Sequence, residues 1–239
     1  MRKKVLITGS SRNLGFYLAE KFSVSNEVIA ISRSVKKNNF AFNYKCDLSS
    51  YKSTKKLLLM VKKKFKKIDL IICCAGNSKF VKNKDFLSSE DWINSFKSNF
   101  LTTSNVIDSY LKIFNVKTKI VVISSIAGNT IMDAPISYSV CKAALNFYCQ
   151  YKAKLLATKK IKLNIISPGN IFQKNNNWDK KSRMNPGKVK NYIKKTVPLN
   201  VFVNPEQIYA MCEYLFSKNG DFITGSNFTI DAGQSVNKI

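Results

Sequence analysis

Short apolar runs alternate with longer segments of helical periodicity along this chain, and this alternation restricts the possible fold more than any other feature. Seven runs have the length and composition of buried strands, at 5–8, 27–32, 40–46, 69–74, 119–124, 161–167 and 228–231. Helices are predicted between them, one ending at residue 22 and others at 49–67, 89–114, 137–158, 188–195 and 205–217. This order predicts an α/β fold, a doubly wound seven-stranded parallel sheet with helices on both faces. Because the 239 residues contain no linker and no internal repeat, we expect a single domain over 1–239.

A glycine-containing turn follows the first predicted strand and leads into the first helix. Strand, glycine turn and helix in this order are the context that a dinucleotide-binding motif of a Rossmann fold requires. Glycines let backbone N–H groups approach a pyrophosphate, and the helix N-terminus favours its negative charge. Asn13 occupies the place of the usual middle glycine, and asparagine tolerates left-handed backbone geometry. The residues predicted to contact the cofactor here are Gly9, Ser11, Arg12, Asn13, Leu14 and Gly15.

The end of the second strand bears on the type of cofactor. An NAD site is expected to have Asp or Glu about 20 residues after the glycines, to accept from the ribose hydroxyls. The sequence has Ser32-Arg33-Ser34 there. Arg33, with Arg12 and Lys36 or Lys37, would suit a 2′-phosphate, so we expect NADP(H) rather than NAD(H). The alternative is that Arg33 is only a solvated charge at a strand end.

Tyr138 and Lys142 are candidates for acid–base chemistry. They are four residues apart in the predicted helix 137–158, which puts both side chains on one helical face. An ammonium close to the phenol would lower its pKa, as a tyrosine acid–base catalyst needs. Ser125, at the end of the fifth strand, would hold a substrate oxygen beside Tyr138. A tyrosine and a lysine at this spacing are most commonly a solvated surface pair, so the rest of the sequence must decide between that interpretation and acid–base chemistry.

Composition excludes several other chemistries. The chain has no histidine, which rules out Ser-His-Asp triads, Cys-His pairs and His-ligated zinc. Its six cysteines include no Cys-x-x-Cys pair, so no metal site is expected, and they are interpreted as reduced thiols of a cytoplasmic protein. No apolar run approaches the ~20 residues of a membrane span.

The formal charge of +26, from 40 basic and 14 acidic residues, raises the question of nucleic-acid binding. The lysines are scattered over every polar segment, and asparagine and isoleucine, which also have A/T-rich codons, are abundant. Arginine, which reads bases and phosphates best, is nearly absent. We therefore attribute the charge to genome composition and expect neither a nucleic-acid nor a membrane partner.

With these residues assembled, the chain resembles the short-chain dehydrogenase/reductase family along essentially its whole length. The motifs that carry the resemblance are Thr8-Gly9 to Gly15, Asp47, Cys74-Ala75-Gly76, Asn99, Ser125 with Tyr138 and Lys142, Pro168-Gly169, Thr224-Gly225 and Asp231-Ala232-Gly233. The resemblance implies an NAD(P)-dependent oxidoreductase with Asn99, Ser125, Tyr138 and Lys142 as its catalytic residues.

The same resemblance implies a role for each of these residues. Tyr138 would protonate the developing alkoxide, and Lys142 would lower the tyrosine pKa and bind the nicotinamide ribose. Ser125 would orient the carbonyl, and Asn99 would support a water relay toward Lys142. Further cofactor contacts implied are Asp47, Leu48, Cys74, Ala75, Gly76, Pro168, Gly169 and Ile171. Substrate contacts implied are Ser125, Ile126 and Trp178.

Four residues depart from the family pattern without removing a catalytic group. Asn13 replaces a glycine, Cys74 replaces an asparagine, and Gln173 replaces a threonine that often contacts the nicotinamide amide. Cys141 lies between the two catalytic residues, where serine or alanine is common. Cys141 is either an oxidisable thiol near Lys142 or, as we favour, a small buried filler.

The substrate is less constrained than the chemistry. The general layout is most similar to 3-oxoacyl-(acyl carrier protein) reductases, and a basic surface would suit an acidic carrier protein. Within the loop 172–200, three consecutive asparagines at 175–177 precede Trp178, a combination common where sugars bind, so a sugar or small polyol is the second hypothesis. The alternative for Trp178 is packing within a lid. A non-catalytic dinucleotide- or nucleic-acid-binding protein is a third hypothesis. The family resemblance also implies a homodimer or homotetramer formed through the Asn99 and Tyr138 helices.

Overall fold

The computed structural model describes residues 2–34, 38–78, 86–114 and 116–236. Its strands are β1 Lys4–Thr8, β2 Glu27–Ser32, β3 Ala41–Lys45, β4 Leu70–Cys73, β5 Lys119–Ile123, β6 Lys162–Pro168 and β7 Asn227–Ile230. They form one parallel sheet in the order β3-β2-β1-β4-β5-β6-β7. The predicted α/β fold is confirmed, with each strand boundary within one residue of the prediction.

The helices connect successive strands and return the chain to the same edge of the sheet. They are α1 Asn13–Ser23, α2 Tyr51–Phe65, α3 Ser89–Phe96, α4 Thr102–Phe114, α5 Ile136–Ala157, α6 Asn177–Met184, α7 Pro186–Thr196 and α8 Pro205–Phe216. A π-helical turn, Lys97–Leu101, joins α3 to α4, and short 3₁₀ turns occur at Ile126–Gly128 and Lys218–Gly220.

Alternate residues of the strands face two separate apolar cores. On one face, Leu6 and Ile71 belong to the cluster formed with α2, α4 and α5. On the other face, Ile7 and Ile72 belong to the cluster formed with α1 and α8. The helices therefore cover both faces, as predicted. Each fully buried Leu or Ile contributes about 1.5–3 kcal/mol, which makes the sheet a firm platform for the loops at its carboxyl edge.

The prediction of one uninterrupted helix over 89–114 is wrong at its centre, where the chain makes the π-helical turn. Asn99 lies in this turn, and its side-chain amide donates to the Ser95 carbonyl at 3.1 Å. Side chains that bond to nearby backbone compete with regular helical bonding. π-Helical turns inside α-helices occur frequently at functional sites, which gives a reason for a poor helix former at this position.

The loop 172–200 contains two helices, whereas the sequence predicted only one, at 188–195. That helix is confirmed as α7, but α6 was missed because its residues are mostly polar and form no apolar stripe. Each helix has an asparagine as its N-cap. The Asn176 side chain accepts from the Asp179 N–H at 3.0 Å, and the Asn185 side chain accepts from the Lys188 N–H at 2.9 Å. These caps satisfy N–H groups that the helix itself leaves unpaired.

Among the described residues, no helix combines the length and hydropathy needed to cross a bilayer.

Candidate active site

Tyr138 and Lys142 both lie in the first turns of α5, and the lysine is almost completely buried. Lys142 is 3% exposed, and its Nζ lies 5.7 Å from the centre of the Tyr138 ring. The same Nζ donates a hydrogen bond of 3.0 Å to the carbonyl of Ile123, the last residue of β5. The pair is therefore anchored to the carboxyl edge of the sheet, so a solvated surface pair is excluded.

Burial changes the acid–base properties of both side chains. Desolvation lowers the pKa of Lys142 to about 8, although the neighbouring Cys74, Cys149 and Cys141 act in the opposite direction. Desolvation also raises the pKa of Tyr138, while a hydrogen bond with Ser125 acts in the opposite direction. From the sequence, we expect a lowered pKa for Tyr138. In this structure the desolvation of the phenol dominates, so Tyr138 holds its proton at neutral pH.

Ser125 lies beside this pair on the 3₁₀ turn that follows β5. Its Oγ accepts a hydrogen bond of 3.2 Å from the Ala127 N–H, which caps the turn. Gly128 ends the turn directly against α5, where a Cβ would lie 2.6 Å from the backbone carbon of Lys142. Only glycine allows this approach, and the approach sets the position of Ser125 relative to α5. Ile126, the first residue of the turn, is buried, and its contact with a substrate stays a prediction.

Asn99 connects the π-helical turn to the loop after β4. Its Oδ1 accepts from the Asn77 N–H at 2.8 Å, and its Nδ2 donates to the Asn77 carbonyl at 3.0 Å. A Cβ on Gly76 would lie 3.2 Å from Asn99 Oδ1 and 3.6 Å from Lys142 Nζ. The structure thus brings Asn99 to the same edge as Ser125, Tyr138 and Lys142. All four predicted catalytic residues lie together.

The glycine turn between β1 and α1 is closely packed. A Cβ on Gly15 would lie 2.3 Å from the Gly9 carbonyl oxygen, and one on Gly9 would lie 2.9 Å from the Ala75 backbone. Gly9 and Asn13 have φ angles of +71° and +47°, so the left-handed geometry expected of Asn13 is present. Side chains at Gly9 and Gly15 would clash with the neighbouring backbone, so the two glycines allow the turn to pack tightly at the start of α1. This geometry suits a pyrophosphate.

Thr8 fastens this turn to the neighbouring strand, a role that the sequence analysis missed. The buried Thr8 Oγ1 accepts from the N–H groups of Cys74 and Ala75, each at 3.1 Å. These bonds hold the loop after β4 against the glycine turn, although Cys74 replaces an asparagine. A threonine directly before the first glycine was the available signal.

The predicted contacts to the adenosine part of a cofactor lie at the ends of β2 and β3. Arg33 is exposed after β2, and Arg12 is exposed at the N-terminus of α1. Asp47 follows β3, and its Oδ1 accepts from the backbone and hydroxyl of Ser49 at 3.0 and 2.8 Å. Lys36 and Lys37 lie outside the described residues. No carboxylate occupies the positions directly after β2.

Directly after β6, residues 169–171 are held by contacts that were not predicted from the sequence. Gly169 donates its N–H to the Ile230 carbonyl at 2.9 Å, and a Cβ there would lie 2.8 Å from that of Asp231. The Asn170 N–H donates to Gln234 Oε1 at 2.9 Å. Ile171 pairs with the strand-like residue Val203. These bonds join residues over 30 positions apart, so no local pattern predicts them.

Trp178 packs inside the helical loop. Its ring lies 5.0 Å from Tyr192 and 4.6 Å from Phe202, and the Lys181 ammonium lies 4.6 Å from its centre. This is the packing alternative considered for Trp178, and its substrate contact stays a prediction. Nearby, the buried Asp179 pairs with Arg183 at 2.9 Å and closes the first turn of α6.

Near the site, Cys141 is buried and Cys74 is half-buried. Cys141 is 2% exposed with its sulfur 3.6 Å from the Ser95 hydroxyl, and burial raises its pKa. Burial also raises the pKa of Cys74 to about 12, despite the nearby Lys142 ammonium. Both are therefore protonated at neutral pH, which favours the packing interpretation of Cys141 over a reactive thiol.

A comparison with known proteins agrees with this arrangement. A family model described as enoyl-(acyl carrier protein) reductase matches residues 15–235. Glucose 1-dehydrogenase 2 of Bacillus subtilis is 24% identical, over 98% of this chain and 95% of the relative. The NAD-dependent glycerol dehydrogenase of Listeria innocua is 28% identical, over 98% and 94%. The 3-oxoacyl-(acyl carrier protein) reductase of Buchnera aphidicola is 26% identical, over 97% of each chain.

A solved structure shows the same fold. The ligand-free aldohexose dehydrogenase of Thermoplasma acidophilum superposes with a TM-score of 0.88 at 21% identity, covering 99% of this chain and 95% of that one. The family model spans nearly the whole chain. This protein therefore belongs to the short-chain dehydrogenase/reductase family, whose members are oxidoreductases that bind a nicotinamide dinucleotide.

Proposed function

We propose that this protein is an NADP(H)-dependent oxidoreductase in which Tyr138 exchanges a proton with the substrate oxygen. The observation that supports this most strongly is the convergence of Ser125, Tyr138, Lys142 and Asn99 on one edge of the sheet, beside the glycine turn. The bound cofactor supplies or accepts a hydride. Since Tyr138 is protonated at neutral pH, it is ready to act as the acid in carbonyl reduction.

The other three residues support that proton transfer. Ser125 acts to lower the pKa of Tyr138, and its hydroxyl would hold the carbonyl oxygen beside the phenol. Lys142, which is buried next to the ring, would bind the nicotinamide ribose and favour the tyrosinate that remains after transfer. Asn99 holds the loop after β4 next to Lys142, on the path proposed for a water relay.

For the substrate we propose a 3-oxoacyl thioester, free or attached to a carrier protein. One relative is named a 3-oxoacyl-(acyl carrier protein) reductase, and the formal charge of +26 would attract an acidic carrier electrostatically. A sugar or small polyol is the second candidate, because two relatives are named glucose and glycerol dehydrogenases. The packing of Trp178 against Tyr192 and Phe202 weakens the sugar hypothesis, since it occupies the ring that would stack on a sugar.

For the cofactor we propose a preference for NADP(H), set by Arg33 at the end of β2. Replacement by aspartate, Arg33→Asp, should weaken NADPH binding by about 10- to 100-fold, as expected for the loss of a charge-assisted hydrogen bond. NADH binding should not weaken. Lys52→Asp, which makes the same charge change at an exposed position of α2, is the control. Fluorescence titration with both cofactors measures the effect, and equal loss in both variants would refute the role of Arg33.

We also propose that the protein is a homodimer or homotetramer that buries the outer face of α5. Phe147, Tyr151 and Leu155 are spaced four residues apart on that helix, and all three are more than half exposed. A contiguous exposed apolar stripe of this kind marks an interaction surface.

The experiment that tests the substrate follows NADPH oxidation with a short 3-oxoacyl thioester, in parallel with NADP⁺ reduction by aldoses and glycerol. Faster turnover of the thioester, with NADPH preferred to NADH, is the expected result. Turnover of polyols alone would establish the second candidate. A protein that binds NADPH but turns over neither class would contradict both substrate proposals.

A further inference from the structure

Basic residues lie at the starts of four of the strands. The segments are Arg2-Lys3-Lys4 at β1, Lys66-Lys67 before β4, Lys117-Thr118-Lys119 at β5 and Lys159-Lys160-Ile161-Lys162 at β6. These four strands are neighbours in the sheet, in the order β1-β4-β5-β6. Because all strands are parallel, their starts meet at one edge. That edge is opposite to the one that carries the candidate active site.

A cavity of about 270 Å³ opens at this amino edge. Its lining includes seven lysines and two aspartates, a formal excess of five positive charges. The half-buried Phe216 forms part of the wall, and the Lys3 ammonium lies 4.6 Å from the centre of its ring. So many ammonium groups around one cavity repel one another unless an anion lies between them.

Some of these charges are used within the protein. Lys119 pairs with Asp221 at 2.8 Å and also donates to the Ser217 carbonyl at 2.6 Å, at the end of α8. Lys67 pairs with Asp69 at 2.8 Å. Lys67 is neutralised by a carboxylate, and at Lys119 an ammonium beside carbonyl groups at a helix end is a common structural arrangement. These two residues therefore need no ligand.

Lys162 also lies 3.9 Å from Asp221, and Lys3 lies over the Phe216 ring. The other three lysines of the lining have no such partner among the described residues. Lys117, Lys160 and Lys218 are exposed at the cavity, and none has a carboxylate of the described residues within 4.0 Å. They come from three separate segments, before β5, before β6 and after α8. Their convergence is therefore a product of the fold rather than of one lysine-rich run.

The backbone conformation of Lys160 makes this residue suitable for a test by substitution. Lys160 has a φ of +57°, a left-handed conformation that favours glycine or asparagine. This chain does place asparagine at similar positions, with Asn13, Asn175 and Asn200 all at positive φ. At the cavity it has a lysine instead. Lys66, which does not line the cavity, is a second lysine with a positive φ, +61°, so the site is inferred from the convergence of charges and not from this conformation.

We propose that this cavity binds a chain of adjacent phosphate groups, as found in inorganic polyphosphate and in the phosphate tail of a nucleoside triphosphate. Several lysines at short spacing bind such a chain as point charges. Among the described residues, no arginine lines this cavity and Arg2 lines an adjoining one, so the two-pronged recognition used for base edges is not expected.

The test is the binding of tripolyphosphate to the intact protein, measured by calorimetry at low and at physiological salt, with NADPH in excess to occupy the glycine turn. Lys160→Asn removes one lining charge and places the favoured residue at a left-handed position, so folding should not suffer. Lys66→Asn is the control for the loss of one charge, because Lys66 lies at the same edge of the sheet but does not line the cavity. Thermal melting of both variants checks the fold.

We expect Lys160→Asn to weaken tripolyphosphate binding about threefold, and the double variant Lys117→Gln/Lys160→Asn about tenfold, with Lys66→Asn unchanged. Orthophosphate should bind far more weakly than tripolyphosphate. Titration with ATP separates the two sources: binding as tight as that of tripolyphosphate identifies nucleotides, and its absence identifies free polyphosphate. Equal weakening by Lys66→Asn and Lys160→Asn, or no effect of the double variant, would overturn the proposal.

Discussion

Lys142 shows at the scale of one residue how a functional group conflicts with stability. Its pKa falls from 10.5 to about 8 on burial. Between these pH values the unfolded chain binds more protons than the folded chain, so stability rises with pH across that interval. Below pH 8 the full penalty for burying the ammonium remains. The conflict is expected at a site that needs a lysine beside a tyrosine.

Replacement of this lysine by methionine, Lys142→Met, should therefore raise the free energy of unfolding at pH 7 by about 1–3 kcal/mol while abolishing turnover. The gain should shrink as the pH approaches 10, because the wild-type lysine then loses its proton. Urea unfolding at several pH values measures both effects. Lys55→Met, at an exposed position of α2, should show no such pH-dependent gain. A gain that grew with pH would contradict the buried, uncompensated charge.

At the scale of elements, the 3₁₀ turn after β5 determines where Ser125 lies. Gly128 closes that turn on α5, and the neighbouring Ala143 N would lie 2.8 Å from an added Cβ. Gly128→Ala should push the turn away from α5 and lower kcat by about 10- to 100-fold, since small misplacements of reacting groups are costly. Circular dichroism should remain unchanged.

The matched control for that variant is Gly187→Ala in α7. There the nearest atom to an added Cβ is Asn185 Oδ1, at 3.9 Å. Gly187→Ala should leave kcat unchanged and slightly stabilise the protein, because alanine favours the helix. If both variants showed the same kcat as the parent, the turn would not position Ser125.

The elements differ in how far the sequence predicts them. Buried parallel strands such as β2 and β5 are short continuous apolar runs, so their boundaries were predicted within one residue. The π-helical turn was not predicted, because Asn99 at its centre bonds both to Ser95 nearby and to Asn77 across 22 positions, and the second contact has no local signal. α6 has no apolar stripe and is fixed by caps and by Trp178 packing on Tyr192. Periodicity detects apolar faces, and it misses elements stabilised by polar contacts.

In the candidate site too, some features are predictable from the sequence and others are not. Tyr138, Lys142 and Ser125 were placed together from their spacing and from the predicted strand ends, and the structure brings them together. Their pKa values were not predictable, since they depend on burial that only the packed structure defines. The role of Thr8 was missed for a related reason: its partners are 66 and 67 residues away.

At the scale of the whole molecule, the exposed stripe on α5 predicts self-association. Phe147→Glu combined with Tyr151→Glu places two charges on that stripe and should convert the oligomer to a monomer. Light scattering coupled to size exclusion measures the mass. Leu59→Glu, at a half-exposed position of α2, should leave the mass unchanged. An unchanged mass in the double variant would show that α5 does not form the interface.

The two edges of the sheet have distinct properties. The carboxyl edge carries the glycine turn and the catalytic candidates, as expected for an open α/β sheet. The amino edge carries the lysine-lined cavity. The edges are separated by the length of the strands, so changes at Lys160 and at Tyr138 should act independently.

The most direct test of the central claim, that Tyr138 is the acid of this oxidoreductase, is the turnover of Tyr138→Phe compared with that of the parent. The change removes one hydroxyl and keeps the ring. It should lower kcat by about 10²- to 10⁴-fold while NADPH binds with unchanged affinity. Near-normal turnover in Tyr138→Phe would contradict the mechanism, whichever carbonyl is reduced.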